Sequence, residues 1–512
     1  MTTYDLLKSL SQVDPRYIRR TDVFHRRTPG WRVMMKKTTK LALSAAAVVL
    51  VLGFILTAWW LQSNYGVGPA QEGEEEPLRI CVDLERPESY LMDEFNDMHD
   101  PVESFLRELK DYAIVYGGME DVDEIEIEYI PNAADKQDER NAMLQRIRTE
   151  IISGGGPDVF ILRGSNYYDE SAGLFPYVDK AMEQCFFLPL DEYIENAQFM
   201  EWDFLFPEIM AGGRTTVGQV VLPVTFSMPA TYFDPEDAGP YPADTTWSDM
   251  ISFEDPVLAL STRSAWPRFV SQWRTDGTFE QLASCFSLLL PRLVDASTGE
   301  LAFSEEELRT LTQETLDTAR RMVNTVGKNE AEISESKEVD GKRYPNSANG
   351  MLTFGVPGDD QRKDQTLVPL YNTGGGATAW VSEYGAVNKN TKRVEDAFFV
   401  LDFLLSKSVQ KSSRIVNVNG IAASLPVDSR LYSSVEPYQR VATTAHNAEE
   451  MKRVISQVTA VRFCSQMDTE LNRMLYEMIS AIDLSADWPD PATVAEAVHD
   501  TYQKLQRLLD ES

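Results

Sequence analysis

The side chains best suited to acid–base catalysis or metal binding are few in this sequence. Its 512 residues include four histidines and four cysteines, all scattered along the chain: His25, His99, His446, His499, Cys81, Cys185, Cys285 and Cys464. Zinc sites and thioredoxin-like redox motifs need closely spaced pairs, which this pattern lacks. The sequence therefore predicts no metal site and no cofactor. Outside the cell the cysteines could form two disulfides in any of three pairings or stay as buried thiols.

The motifs of covalent and phosphoryl-transfer enzymes are also missing. The sequence has no G-x-S-x-G elbow, no H-E-x-x-H helix and no phosphate-binding Gly-Lys loop. Ser334 and Lys337 form an S-x-x-K pair, but it lies in a highly charged stretch without the companion motifs of penicillin-binding proteins. We therefore predict that the protein is not an enzyme. A carbohydrate-active enzyme is the least favoured alternative, because the separation of two catalytic carboxylates is not visible in a sequence.

The net charge of −32 is unevenly distributed. Residues 1–40 carry ten Lys/Arg and three Asp/Glu, a balance of +7, so the rest of the chain sums to −39. A domain this acidic repels phosphate backbones, which excludes nucleic acid as its partner. Basic residues beside an apolar segment more often determine membrane topology and face anionic lipid.

An uncharged stretch of 21 residues, LALSAAAVVLVLGFILTAWWL, runs from Leu41 to Leu61. As a helix it would be about 31 Å long, which matches a hydrocarbon core. We predict a single transmembrane helix at residues 41–62 in contact with lipid. The basic flank before it and the acidic flank after it place tail 1–40 in the cytoplasm and the main domain outside the cell membrane. A cleaved signal peptide is the alternative, but the segment before the apolar run is too long for one.

The rest of the chain alternates strand and helix patterns. Residues 63–77 are rich in Gly, Pro and Glu and predict an acidic linker. Strands are predicted at 78–84, 124–130 and 158–162, with helices at 88–116 and 134–153 between them. The last third predicts helices at 393–413, 438–457, 465–482 and 491–510. This order is typical of an α/β fold with a largely parallel sheet, in which ligands bind beyond the carboxyl ends of the strands.

Several segments resemble family 1 extracellular solute-binding proteins, the maltodextrin-binding-like receptors of ABC importers. In LQRIRTEIISGGGPDVFIL (144–162) a helix ends at glycines and Pro-Asp leads into an apolar strand. Further segments follow in the family's order: GQVVLPVTFSMPATYFD (218–234), PADTTWSDM (242–250), AWVSEYGAVNKNTKRVEDAFFVLDFLLSKSVQ (379–410) and GIAASLPVD (420–428). The resemblance covers roughly residues 78–512.

The resemblance implies a two-lobed domain of the type II periplasmic-binding-protein kind. Lobe I would comprise residues 78–228 and 377–425, and lobe II residues 229–376 and 426–512. A small ligand, expected to be a carbohydrate, would bind between the lobes and be handed to ABC permease subunits. By position, the resemblance assigns nine ligand-binding residues: Asp83, Glu85, Arg163, Asn166, Tyr167, Phe226, Tyr232, Trp266 and Trp380. Each also has a structural alternative: helix capping for the acids, and packing of the hinge or core for the aromatics.

The cytoplasmic tail supports a second hypothesis, a transmembrane ligand sensor. LLKSLSQVDPRYI (6–18), the basic stretch and the span are similar to the tails of membrane-bound anti-sigma-type regulators. A cytoplasmic regulator would then be a further partner. The alternative is that Tyr4 to Leu10 forms a short amphipathic helix on the membrane surface.

Overall fold

The computed structural model describes residues 76–84, 101–116, 125–131, 133–164, 173–233, 242–252, 285–295, 298–326, 338–339, 342–343, 366–411, 425–433, 445–480 and 489–511. Within these ranges the strands are β1 (Leu78–Asp83), β2 (Ile125–Tyr129), β3 (Val159–Arg163), β4 (Arg214–Thr215), β5 (Gly218–Gln219), β6 (Val221–Ser227), β7 (Ala230–Phe233), β8 (Val294–Asp295), β9 (Glu300–Leu301), β10 (Glu338–Val339), β11 (Lys342–Arg343), β12 (Thr366–Pro369), β13 (Ala377–Val387), β14 (Leu425–Pro426) and β15 (Val458–Phe463).

The helices in these ranges are α1 (Pro101–Tyr116), α2 (Ala133–Ile152), α3 (Val178–Glu183), α4 (Asp191–Ile194), α5 (Pro207–Met210), α6 (Trp247–Ser252), α7 (Glu305–Val326), α8 (Val394–Leu404), α9 (Lys407–Lys411), α10 (Ala445–Ile455), α11 (Gln466–Ser480) and α12 (Pro491–Glu511). A 3₁₀ turn at Phe286–Leu289 precedes β8. The predicted helix at 393–413 is thus two helices, α8 and α9. None of the described helices is both long and apolar enough to cross a membrane, and the predicted span at 41–62 lies outside the described residues.

Seven strands form one mixed sheet in the order β14-β6-β13-β3-β1-β2, with β15 also paired to β13. β1 is parallel to β2 and β3, and β15 is parallel to β13. β13 is antiparallel to β3 and β6, and β14 is antiparallel to β6. The fold is therefore of the mixed α/β kind, as predicted. Its sheet, however, is mixed and not largely parallel, because β13 lies between β3 and β6 and runs antiparallel to both.

Both faces of the sheet are covered at β1 and β3, which explains why these two strands are buried along nearly their whole length. Ile80 and Val82 of β1 pack in one apolar cluster with Ile161 of β3. Their neighbours Cys81 and Phe160 pack in a second cluster on the other face, with α2 and α3. This alternation is the two-residue period of a strand, here buried on both sides.

The buried apolar residues form two bodies. The sheet body contains the clusters on both faces of the sheet, whose members lie at 78–230, at Leu367 and at 377–463. The helical body contains a separate cluster at 247–316, 368–371 and 467–505. The chain therefore passes from one body to the other near 230–247, 367–377 and 463–467. The described residues between 426 and 463 pack mostly with the sheet body rather than with the helical body. The predicted lobe boundaries stay a prediction.

The first two crossing segments are hydrogen-bonded to each other, and the second is also hydrogen-bonded to β15. The Trp247 amide donates to the Asn372 carbonyl oxygen at 2.9 Å, and the Thr459 hydroxyl donates to the Gly375 carbonyl oxygen at 2.5 Å. Gly376 has a φ of +79°, and a Cβ there would lie 2.4 Å from the Cγ2 of Thr459. Glycine is therefore required where the second crossing meets β15.

Candidate functional site

A cavity of about 710 Å³ lies where the two bodies meet. Its walls come from α3 and α5, residues 211–214, residues 291–294 and 298–299, β15, the start of α11, and Leu509 of α12. Val178 and Met182 belong to the sheet body, whereas Leu293 and Met467 belong to the helical body. The volume lies within the range of roughly 300–1,000 Å³ that is typical of small-molecule sites.

The lining combines apolar side chains with charges of both signs. Val178, Met182 and Val461 provide apolar surface. The charged lining residues are Asp179, Lys180, Glu183, Glu208, Arg214, Arg292 and Arg462. Such a wall offers both hydrogen-bond donors and acceptors, which suits a ligand that carries several hydroxyl groups.

Arg462 joins the two bodies beside the cavity. From β15 its Nη1 donates to the carbonyl oxygens of Ser287 at 2.9 Å and Leu290 at 2.8 Å, both in the helical body. Its Nη2 also contacts the carboxylate of Asp468 in α11. The other Asp468 oxygen accepts from the Ser465 amide and hydroxyl, each at 2.9 Å. Arg462 is thus fixed by its partners and presents a fixed positive charge to the cavity.

Asp179 is the acid most strongly affected by the cavity. Its side chain is exposed to the cavity, yet the protein that encloses the cavity raises the pKa of its carboxyl to about 6. The positive charges of Arg462 and Arg292 oppose this rise, and the negative charges of Asp468 and Glu183 add to it. The group therefore changes charge in weak acid.

A second group of polar side chains crosses the carboxyl edge of the sheet. Asp83, at the end of β1, forms a two-pronged ion pair with Arg140 of α2, with both N–O distances 2.7 Å. The Nε of Arg163 lies 3.7 Å from Asp83. Farther along the edge, the Thr225 hydroxyl donates to Glu383 at 2.9 Å. These groups are buried, and burial raises the pKa of Glu383 to about 8.

Of the nine predicted ligand-binding residues, four have side chains that the structure describes, and none of these four lines the cavity: Asp83, Arg163, Phe226 and Trp380. Of these, the structure brings Asp83 and Arg163 together at the sheet edge. Phe226 is fully buried in the sheet body beside Phe206. Trp380 is half-buried in β13, where it pairs in register with Arg462. The remaining members are Tyr232, whose backbone pairs with Leu367, and four residues outside the described ranges, Glu85, Asn166, Tyr167 and Trp266. Their role in binding stays a prediction.

None of the residues that line the cavity is predicted from the sequence. They lie on five segments far apart in the chain, and no motif links them. One signal was available: VTAVRF (458–463) is rich in β-branched residues, which is typical of a strand, and β15 forms one wall. Among the described residues, no cluster of His, Cys, Asp and Glu could hold a metal, and all four cysteines are free thiols.

Comparisons with known proteins give likenesses of fold only. No protein-family model matches the sequence, and no curated protein matches it. Among solved structures, the chain is similar to a family 1 extracellular solute-binding protein from Alicyclobacillus acidocaldarius, with 16% identity over 85% of this chain and 100% of that one and a TM-score of 0.46. It is also similar to the sugar-binding protein MalE from Xanthomonas citri, with 13% identity over 85% and 98% of the two chains and a TM-score of 0.48.

A third similar structure is a periplasmic oligogalacturonide-binding protein from Yersinia enterocolitica, with 13% identity over 85% of this chain and 99% of that one and a TM-score of 0.45. These neighbours are binding proteins rather than enzymes. A likeness this distant does not transfer a ligand or an activity to the chain.

Proposed function

We propose that the chain is an extracytoplasmic receptor that binds a small solute, a carbohydrate, in the cavity between the sheet body and the helical body. The observation that carries the proposal is the position of this cavity: residues of two separately packed bodies line it, and three crossing segments connect those bodies. A ligand held in such a cavity touches both bodies at once. It therefore favours the arrangement in which the bodies lie close together.

The lining supports a polyhydroxylated ligand. Sugar hydroxyls both donate and accept, and Asp179, Arg292 and Ser465 offer matching groups. Tyr177 contributes an aromatic ring, on which the apolar face of a sugar can pack. Binding, and not turnover, is the activity that this arrangement serves.

The wider proposal places the receptor in an ABC-type importer. Segment 41–62 would anchor it in the cell membrane, with the tail in the cytoplasm and the two bodies outside, where permease subunits would receive the ligand. The anchor and its orientation rest on the charge asymmetry and the apolar run of the sequence, and the importer and its permease subunits rest on the resemblance to family 1 solute-binding proteins. The alternative is that the chain is a ligand sensor, whose cytoplasmic tail would contact a cytoplasmic regulator.

Thermal-shift screening of the full-length protein tests the binding proposal. Mono- and oligosaccharides, polyols, peptides and phosphorylated compounds form the panel, and calorimetric titration follows each hit. A ligand at 100 times its dissociation constant should add about 2.7 kcal/mol to the free energy of unfolding. A panel in which only peptides or phosphorylated compounds stabilise the protein would contradict the carbohydrate assignment, and product formation from a sugar hit would contradict the absence of turnover.

A further inference from the structure

One wall of the cavity is a short segment of the helical body that starts at a bonded turn. This segment, called here the 291–294 wall, follows the 3₁₀ turn at Phe286–Leu289. Arg462, near the end of β15 in the sheet body, donates from Nη1 to the carbonyl oxygens of Ser287 at 2.9 Å and Leu290 at 2.8 Å. Leu290 is the residue just before the wall. Arg462 therefore fixes the point at which the wall leaves the turn.

The Arg462 side chain is itself held in one geometry. Its Nη2 contacts the carboxylate of Asp468, whose other oxygen accepts from the Ser465 amide and hydroxyl, each at 2.9 Å. The side chain is only 6% exposed. Because the guanidinium is planar, the bonds of Nη2 also orient Nη1 toward the two carbonyl oxygens. The ion pair with Asp468 thus makes Arg462 a rigid support for the turn.

Two further hydrogen bonds hold the same turn from other directions. The Ser287 amide donates to the Oδ1 of Asn472 in α11 at 2.8 Å, and the Thr373 amide in the second crossing donates to the Leu289 carbonyl oxygen at 2.8 Å. These bonds attach the turn to the helical body and to a crossing segment. The bonds of Arg462 attach it to β15, which forms another wall of the cavity. The separation of these two walls therefore depends on Arg462.

The 291–294 wall carries side chains that a ligand in the cavity would meet. Arg292 is exposed to the cavity, and Pro291 lines it. A Cβ at Gly374 would lie 3.2 Å from the Cγ of Pro291, so the wall already packs closely on the second crossing. A contact between Arg292 and a ligand is strong only at hydrogen-bond distance, and a wall about 1 Å out of place weakens it.

We propose that Arg462 is the positioning residue of this cavity: its bonds to Ser287 and Leu290 hold the 291–294 wall at the distance from β15 that the ligand requires. This inference rests on the proposed function, since it places the ligand in the same cavity. It adds the residue through which the sheet body sets the position of a wall that belongs to the helical body.

Calorimetric titration of the full-length protein with maltotriose and cellotriose tests the inference in three variants. Arg462→Met removes the carbonyl bonds and leaves Asp468 buried without its cation, so the stability in urea should fall. Arg462→Met/Asp468→Asn removes both charges and should recover much of that stability, while its affinity stays about tenfold below that of the parent. Asp468→Asn is the matched control, because Arg462 keeps both carbonyl bonds there, and its affinity should match the parent's.

A role confined to folding makes a different prediction for the double variant. If Arg462 served only the fold, the affinity of Arg462→Met/Asp468→Asn would recover together with its stability. That result would overturn the inference.

A ligand-free measurement separates this inference from the proposed function. Nitroxide labels at Glu300→Cys and Glu395→Cys, in a Cys185→Ser background, report the distance from the hairpin of β8 and β9, which follows the wall, to α8 in the sheet body by pulsed electron spin resonance. The distance distribution should widen in the double variant and stay as in the parent in Asp468→Asn. If neither trisaccharide binds the parent, binding of these sugars fails while the distances still decide the role of Arg462. Equal distributions in the parent and the double variant would refute that role.

Discussion

The carboxyl edge of the sheet and the cavity between the bodies both contain acidic and basic side chains, but those at the edge are buried and those compared with them in the cavity are exposed. At the edge, the carboxylate of Asp83 is bound by both Nη atoms of Arg140, and Glu383 accepts from Thr225, all in buried positions. In the cavity, Asp179 and Arg292 are exposed to the open space. Polar side chains whose hydrogen bonds are already made within the protein mainly affect its folding stability. Polar side chains that face a cavity can instead exchange bound water for a ligand.

The largest effect is expected from breaking the ion pair at the sheet edge. Asp83→Ala leaves the Arg140 guanidinium buried without its main acceptor, which should lower the free energy of unfolding by about 3–5 kcal/mol. Urea denaturation followed by circular dichroism measures it. The double variant Asp83→Leu/Arg140→Met removes both charges and should recover much of the loss. If Asp83→Ala lowers the free energy of unfolding by less than about 1 kcal/mol, the ion pair at the sheet edge does not stabilise the fold as expected.

The next effect comes from the buried carboxyl of Glu383. Its pKa of about 8 in the fold lies above the ordinary 4.5, so the unfolded chain releases this proton at a lower pH than the folded protein does. The stability that the neutral carboxyl contributes is therefore complete below pH 4.5 and is lost as pH rises to about 8. Glu383→Gln mimics the neutral acid and should remove that slope, worth roughly a few kcal/mol over this range.

Urea denaturation at half-unit steps between pH 4.5 and pH 9 checks the Glu383 slope. Glu496→Gln, which changes an exposed carboxyl on α12, is the control and should leave the slope unchanged. Because the raised pKa of Asp179 also contributes a slope up to about pH 6, the decisive range is pH 6 to pH 8. A slope in that range that persists unchanged in Glu383→Gln would show that burial of Glu383 is not the cause.

A smaller effect, on binding instead of folding, is expected at the cavity. Arg292→Ala removes an exposed cation, so the free energy of unfolding should change by less than about 0.5 kcal/mol. The affinity for a sugar identified by the screen should fall about tenfold, or about 1.4 kcal/mol. Arg309→Ala, an exposed arginine on α7 outside the cavity lining, should change neither quantity. If Arg292→Ala binds the sugar with unaltered affinity, the part of the cavity wall that contains Arg292 does not contact the ligand.

Much of the sheet body could be predicted from local patterns. The apolar run at 78–84 and the alternation at 124–130 match β1 and β2 within a residue, and the helix predicted at 134–153 is α2. These elements are defined by neighbours two to four positions apart, which a sequence displays directly. The position of β13 between β3 and β6 depends instead on contacts across more than 150 residues, and no local pattern encodes it.

The candidate site was much less predictable. The resemblance assigns Asp83 and Arg163 because ligand-binding residues of that family follow strand ends. The partner that satisfies Asp83 is Arg140, on a helix whose charged residues look alike in the sequence. The cavity requires α3, the segment before β8, and β15 to converge. In the sequence nothing distinguishes Asp179 and Arg292 from ordinary surface residues, because only the convergence of these segments places them in a cavity wall.

The smallest effect is expected where a charged pair is exposed to bulk solvent. The Nδ1 of His499 on α12 lies 3.1 Å from Glu305 on α7, and both side chains are about half exposed. Because water screens such a pair, His499→Gln should change the free energy of unfolding by less than about 1 kcal/mol. Urea denaturation at low and high salt measures it, and any small loss should vanish at 1 M salt. If this loss matched that of Asp83→Ala, pairing alone and not burial would determine the energy, and the distinction between the sheet edge and the cavity would lose its physical basis.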